Sequence, residues 1–164
     1  MCWACDHPDG THRDYLAHMS AIITRHGWAV QGIGRDRIHP PWAYTVGLTG
    51  YGKPELVVTG LPVARATRLL NDVAAHVVHA GAPAPGGRIA LDGGPLIEIV
   101  EIAEPAVHLT IAADLYGHQV HALQVVHADD RGHWPWDRGY RGVRGGQPVL
   151  GKREPGPVAQ LGSS

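Results

Sequence analysis

Residues 62–80 constrain the fold most. Val63, Ala66, Leu70, Val73 and Val77 recur at steps of three and four, which places them on one face of an α-helix running to about Ala80. Pro62 suits the first turn of that helix. A helix with one apolar face needs a second layer to cover it. The flanking segments supply one. Residues 55–59, 88–91, 96–102 and 120–128 are short, rich in Val, Ile and Leu, and bounded by Gly and Pro, so they read as strands.

The N-terminal half repeats the alternation. Residues 11–26 read as a helix, with Thr11 as cap, Asp14 as its capping-box partner and an apolar stripe of Tyr15, Leu16, Met19, Ile22 and Ile23. Gly27 stops it, and residues 28–33 follow as a strand. Residues 42–49 alternate cleanly. Trp42, Tyr44, Val46 and Leu48 point one way; Ala43, Thr45, Gly47 and Thr49 point the other. The next strand, 55–59, is expected to run antiparallel to it. Residues 105–116 stay ambiguous: their β-branched residues favour a strand, while their spacing and Gly117 favour a short helix. The expectation is an α+β single domain over residues 1–151, a mostly antiparallel β-sheet packed with two or three helices. Residues 152–164 read as a disordered tail.

A chain of 164 residues is long enough to bury a core. Its formal charge of −1 gives no nucleic-acid footprint and no membrane-surface patch. No apolar run approaches the roughly 20 residues of a membrane span, and no signal-peptide pattern opens the chain. These features, with a composition resembling that of GC-rich bacterial genomes, lead to the expectation of a soluble, cytoplasmic bacterial protein. Oligomeric state is not legible.

The two cysteines, Cys2 and Cys5, form a C-x-x-C, and His7 and His12 follow. Thiolates bind Zn²⁺ well, but a structural zinc needs about four ligands, so histidine must complete the set. Cys2, Cys5, His7 and His12 are therefore the candidate metal ligands, with zinc the expected ion. A redox dithiol and a pair of inert thiols are the alternatives. The chain holds 12 histidines, so accidental proximity of two of them is a standing explanation.

Three other groups carry candidate chemistry. Asp72, His76 and His79 share one helix face and could hold a metal, though a solvated face explains them better. In the segment 129–137, Trp134 and Trp136 could floor a ligand pocket beside Asp129 and Asp130. A structural lock, with the tryptophans anchored on the sheet and the acids bonding turn amides, is favoured. The small face of residues 43–49 could accept a flat cofactor such as flavin beside Tyr44 and Thr45, although helix packing needs the same small residues. Several motifs fail. The Walker-like string at 146–152 has Arg153 in place of Ser or Thr, and G-x-S-x-G and H-E-x-x-H are absent.

With these segments in place, the chain resembles the domain of unknown function 4262 family. The matching stretches are Cys2 to Cys5, Arg25-His26-Gly27-Trp28, Tyr44-Thr45-Val46-Gly47-Leu48, Pro54-Glu55-Leu56-Val57-Val58, Gly60-Leu61-Pro62, Asp129 to Asp137, and Gln147-Pro148-Val149-Leu150-Gly151. The resemblance implies no activity and carries over no catalytic residue. The leading functional expectation is a metal-binding domain, structural or supporting an accessory enzymatic step. A non-catalytic protein- or small-molecule-interaction module and a thiol- or flavin-dependent redox enzyme are the alternatives.

Overall fold

The structure, a computed structural model, describes residues 3–154. Cys2 and residues 155–164, most of the expected tail, lie outside the described residues. The elements run α1 (Trp3–Asp6), α2 (His12–His26), β1 (Ala29–Ile33), β2 (Trp42–Val46), a 3-10 turn (Leu48–Tyr51), β3 (Glu55–Thr59), α3 (Val63–Ala80), β4 (Arg88–Ala90), β5 (Leu96–Glu101), α4 (Pro105–His108), α5 (Thr110–Tyr116) and β6 (Ala122–His127). The six strands form one sheet in the order β1-β2-β3-β6-β5-β4. All neighbours are antiparallel except β3 and β6, which run parallel at the centre. The α+β class and the mostly antiparallel sheet therefore hold. No described helix is long and apolar enough to cross a membrane.

Two or three helices proves too few, because five are present among the described residues. Two of them are single turns of four residues, too short for an apolar period to show. The ambiguous 105–116 segment is helical. It breaks in two at Leu109, whose φ of −107° and ψ of 64° leave the helical region, and Pro105 starts the first piece.

Helix α3 covers one face of the sheet. Ala66, Leu69, Leu70, Val73, Ala74 and Val77 pack on Ala43, Leu56, Val58, Ile97, Ile99, Leu123 and Val125. This explains the small residues of β2: Ala43 lies fully buried beneath the helix. Gly32, its cross-strand partner on β1, leaves no room for a side chain under Val63. The opposite face carries α2, α5 and the chain after β6. Met19, Tyr44, Val46, Val57, Leu109 and Ala112 pack there. The capping box expected at Thr11 and Asp14 is present at the start of α2.

One expected orientation differs. Leu48 joins the α3 side with Ala43 rather than the Tyr44 side. The strand ends at Val46 because Gly47, at φ 125°, turns the chain where only glycine sits without strain. The side chain of Glu55 holds that turn. Its Oε2 accepts from Thr45 Oγ1 at 2.6 Å and from Leu48 N at 3.3 Å. Its Oε1 accepts from Gly47 N at 2.9 Å, Thr49 N at 3.0 Å and Thr49 Oγ1 at 2.8 Å. Thr45 Oγ1 in turn accepts from Leu56 N at 2.8 Å.

A strap after β6 crosses the sheet face opposite α3. The Gln147 carboxamide accepts from His127 N and donates to His127 O, both at 2.9 Å, acting as a strand partner would. The buried Gln124 donates to Pro148 O and accepts from Leu150 N, each at 2.7 Å. Gly60, at φ 76°, lets the strap pass: a Cβ there would lie 2.7 Å from Gly146 O.

Removing the Glu55 carboxylate strands two buried amides, a part-buried third and two hydroxyls. Glu55→Ala should therefore cost about 3 kcal/mol or more. Urea unfolding monitored by tryptophan fluorescence checks this, and a cost below about 0.5 kcal/mol would show that the turn does not depend on the carboxylate.

Candidate functional site

The parallel pair β3 and β6 places two carboxyl ends side by side, where α/β proteins commonly open a crevice. A cleft of about 540 Å³ lies there, between the first half of α3, the β4–β5 turn and the chain leaving β6. Arg65, Arg68 and Asp72 line it from α3. Asp92 lines it from the turn. His127, Asp129 and Asp130 line it from the end of β6. The helical period explains the first wall, since Arg65, Arg68 and Asp72 follow at steps of three and four on the face not buried against the sheet.

His127 is buried at the cleft floor, with Nε2 3.2 Å from Thr59 O. Burial holds its imidazole below the ordinary value of 6.5, and Arg65 pushes the same way, while bonds to the Thr59 and Ala128 backbone pull against them. Asp129 is spoken for: Oδ1 accepts from Arg131 N and His133 N, and Oδ2 from Arg141 N, all at 2.9 Å. Desolvation alone would raise its carboxyl. The three backbone amides outweigh it and bring the group to about 2. By contrast, the side chains of Arg65, Arg68, Asp72, Asp92 and Asp130 make no hydrogen bond or ion pair among the described residues. The cleft thus presents two guanidinium groups and one carboxylate on the α3 wall and further carboxylates on the others, over a neutral imidazole. Among the described residues, its lining contains no Ser, Thr, Cys, Lys or Tyr.

The candidate metal ligands lie elsewhere. The His7 ring stacks on Trp3 at 4.7 Å, and its Nδ1 bonds Trp3 O at 3.0 Å. His12 Nε2 bonds Asp114 Oδ2 on α5 at 2.8 Å. Cys5 is exposed on α1. Cys2 lies outside the described residues, and among those described no three His, Cys, Asp or Glu side chains gather to hold a metal. His76 and His79 are exposed on α3 and join no such group, while Asp72 belongs to the cleft.

Trp134 and Trp136 form the lock. Their rings stack 5.4 Å apart at an interplanar angle of 5°. Arg88 lies over Trp134 at 4.6 Å and Arg153 over Trp136 at 3.4 Å. Both arginines reach the buried Glu98: Arg153 Nε at 2.9 Å and Arg88 Nε at 3.4 Å. Arg153 falls within the expected tail, yet this stack and ion pair tie it to the sheet. Tyr44 and Thr45 are fully buried, and the Tyr44 hydroxyl accepts from Ile111 N at 3.1 Å. Helix α3 takes the small face that a flat cofactor would need. None of Tyr44, Thr45, Trp134 and Trp136 lines the cleft.

Sequence reasoning missed Arg65, Arg68 and His127 as a group, because nothing in residue spacing brings α3 beside the end of β6. Gln124 offered a signal: a carboxamide in the middle of an apolar strand needs a partner, here the strap.

The folded His127 binds its proton more weakly than the unfolded chain does. Its contribution to stability is present above pH 6.5 and is lost as pH falls through 6.5 toward the lower folded value. His127→Gln should therefore flatten the loss of urea midpoint expected between about pH 7 and about pH 5. An unchanged slope in the variant would show that His127 is not held neutral.

Over residues 22–141 the sequence matches the family described as Domain of unknown function (DUF4262). No curated protein and no solved structure matches the chain. The matched span excludes Cys2, Cys5, His7, His12 and the Gln147 strap. It includes every residue lining the cleft, from Leu61 to Asp130, and on this match the chain belongs to the DUF4262 family.

Proposed function

We propose that the protein is a small-molecule-binding module whose cleft takes a compact zwitterionic ligand. The observation that carries this reading is the presence in one cleft of opposite charges whose side chains leave each other unpaired. Arg65 and Arg68 stand with Asp72 on the α3 wall, Asp92 and Asp130 on the facing ones, and none of these side chains pairs with another described residue. A ligand carboxylate suits the guanidinium forks and a ligand ammonium suits the acids. Both charges must be met at once, because a simple anion would face the aspartates and a simple cation the arginines. The described lining holds no hydroxyl, thiol or amine side chain, and the assignment is one of binding.

Saturation-transfer NMR with a panel of free α-amino acids tests this. Binding should be found, and Arg68→Ala and Asp92→Asn should each weaken it about tenfold. No binding, or binding that ignores both substitutions, would sink the reading.

A second reading, zinc at the N-terminus, is favoured by one contact set. Trp3 meets Tyr15 at 5.2 Å and His18 at 6.0 Å, which pins the turn carrying Cys5 and His7 onto α2. Elemental analysis of protein purified without added metal should then find about one zinc per chain, lost in Cys5→Ser. Zinc content equal in both proteins would remove the thiol from the site.

A further inference from the structure

A second concave site lies away from the cleft, where the β1–β2 loop meets the strap. A cavity of about 380 Å³ is lined there by Arg35, Arg37, Ile38, His39 and Arg144. Two distant stretches of chain supply the arginines. They are brought together because the backbone at Gly145 packs on Pro40, where a glycine Cβ would sit 3.4 Å from Pro40 Cβ.

The loop is built rather than slack. Asp36 Oδ1 accepts from Ile38 N and His39 N, both at 2.7 Å, and Oδ2 lies 3.0 Å from His39 Nδ1. Asp36 N donates to His39 O at 3.1 Å, closing the turn. Among the described residues, the only carboxylate lining the cavity is therefore engaged within its own loop. Arg35, Arg37 and Arg144 make no hydrogen bond or ion pair among the described residues. Ile38 stands 84% exposed at the tip, the most exposed large apolar side chain among those described.

We propose that Arg35, Arg37 and Arg144 form a binding site for a phosphate-bearing ligand, with Ile38 making an apolar contact at its lip. Three guanidinium groups around one hollow repel each other, and an anion with several oxygens relieves that repulsion while accepting paired N–H bonds. A phosphate fits this better than a carboxylate, since it offers oxygens to three donors approaching from different sides. Ile38 suits either an organic group next to the phosphate or the acyl region beneath a phospholipid headgroup.

The test uses the full chain. Calorimetric titration with inorganic pyrophosphate measures the soluble source. Co-sedimentation with phosphatidylcholine vesicles, with and without phosphatidylserine, measures the lipid source. The variants are Arg37→Ala and Arg144→Ala, with Arg25→Ala on α2 as a charge-matched control away from the site. Pyrophosphate binding weakened about tenfold by each of the first two, and unchanged in the control, supports the site with a soluble phosphorylated ligand. Pyrophosphate inactive but phosphatidylserine-dependent sedimentation weakened by the same two variants supports it with a lipid headgroup. Neither probe binding, or all three variants weakening binding equally, overturns it. These arginines are not part of the α3 cleft, so either site can fail without the other.

Discussion

The buried Glu55 carboxylate is the contact on which the arrangement of the sheet rests. A carboxylate removed from water needs partners on every oxygen, and here amides and hydroxyls from the β2 end and the following turn provide them. That bonding ends β2 at Val46 and tips Leu48 toward α3. It also fixes the start of β3. Because β3 runs parallel to β6, the position of β3 decides where the two carboxyl ends open, and so where the cleft forms.

The second organising element is the strap. Gln147 and Gln124 bond backbone groups that no strand covers, and the strap thereby holds His127 and the sheet face beneath it. The tryptophan stack closes the same region. Arg88, Trp134, Trp136 and Arg153 lie in sequence over one another, with Glu98 neutralising both ends. Stacking and partial desolvation strengthen such cation–π contacts. The consequence for function is that the tryptophans are consumed in structure, and exposed charge is left to provide recognition.

The two candidate binding sites draw on different parts of this frame. The α3 cleft combines opposite charges over a neutral histidine. The β1–β2 loop presents like charges held in place by an Asx turn. Each depends on a segment brought from far away in the chain: the end of β6 for the cleft, the strap for the loop.

Local order was legible from the residues. The capping box at Thr11, the apolar period of α3 and the alternation of β2 each arise from contacts within a few residues, so spacing alone reports them. The small face of β2 announced a close neighbour, and α3 is that neighbour. What spacing does not encode is which distant groups meet. The Asp129 turn was readable as a lock because its partners are nearby amides. The assembly of Arg65 and Arg68 beside His127, the use of Gln147 as a substitute strand and the anchoring of Arg153 on Glu98 and Trp136 were not. Those pairings follow from the parallel insertion of β6 between β3 and β5, a choice made by burial of the whole sheet between α3 and the opposite layer. Sequence determined the elements and their apolar faces; tertiary packing decided which polar side chains those elements brought together, because such meetings depend on strand order rather than on local chain geometry.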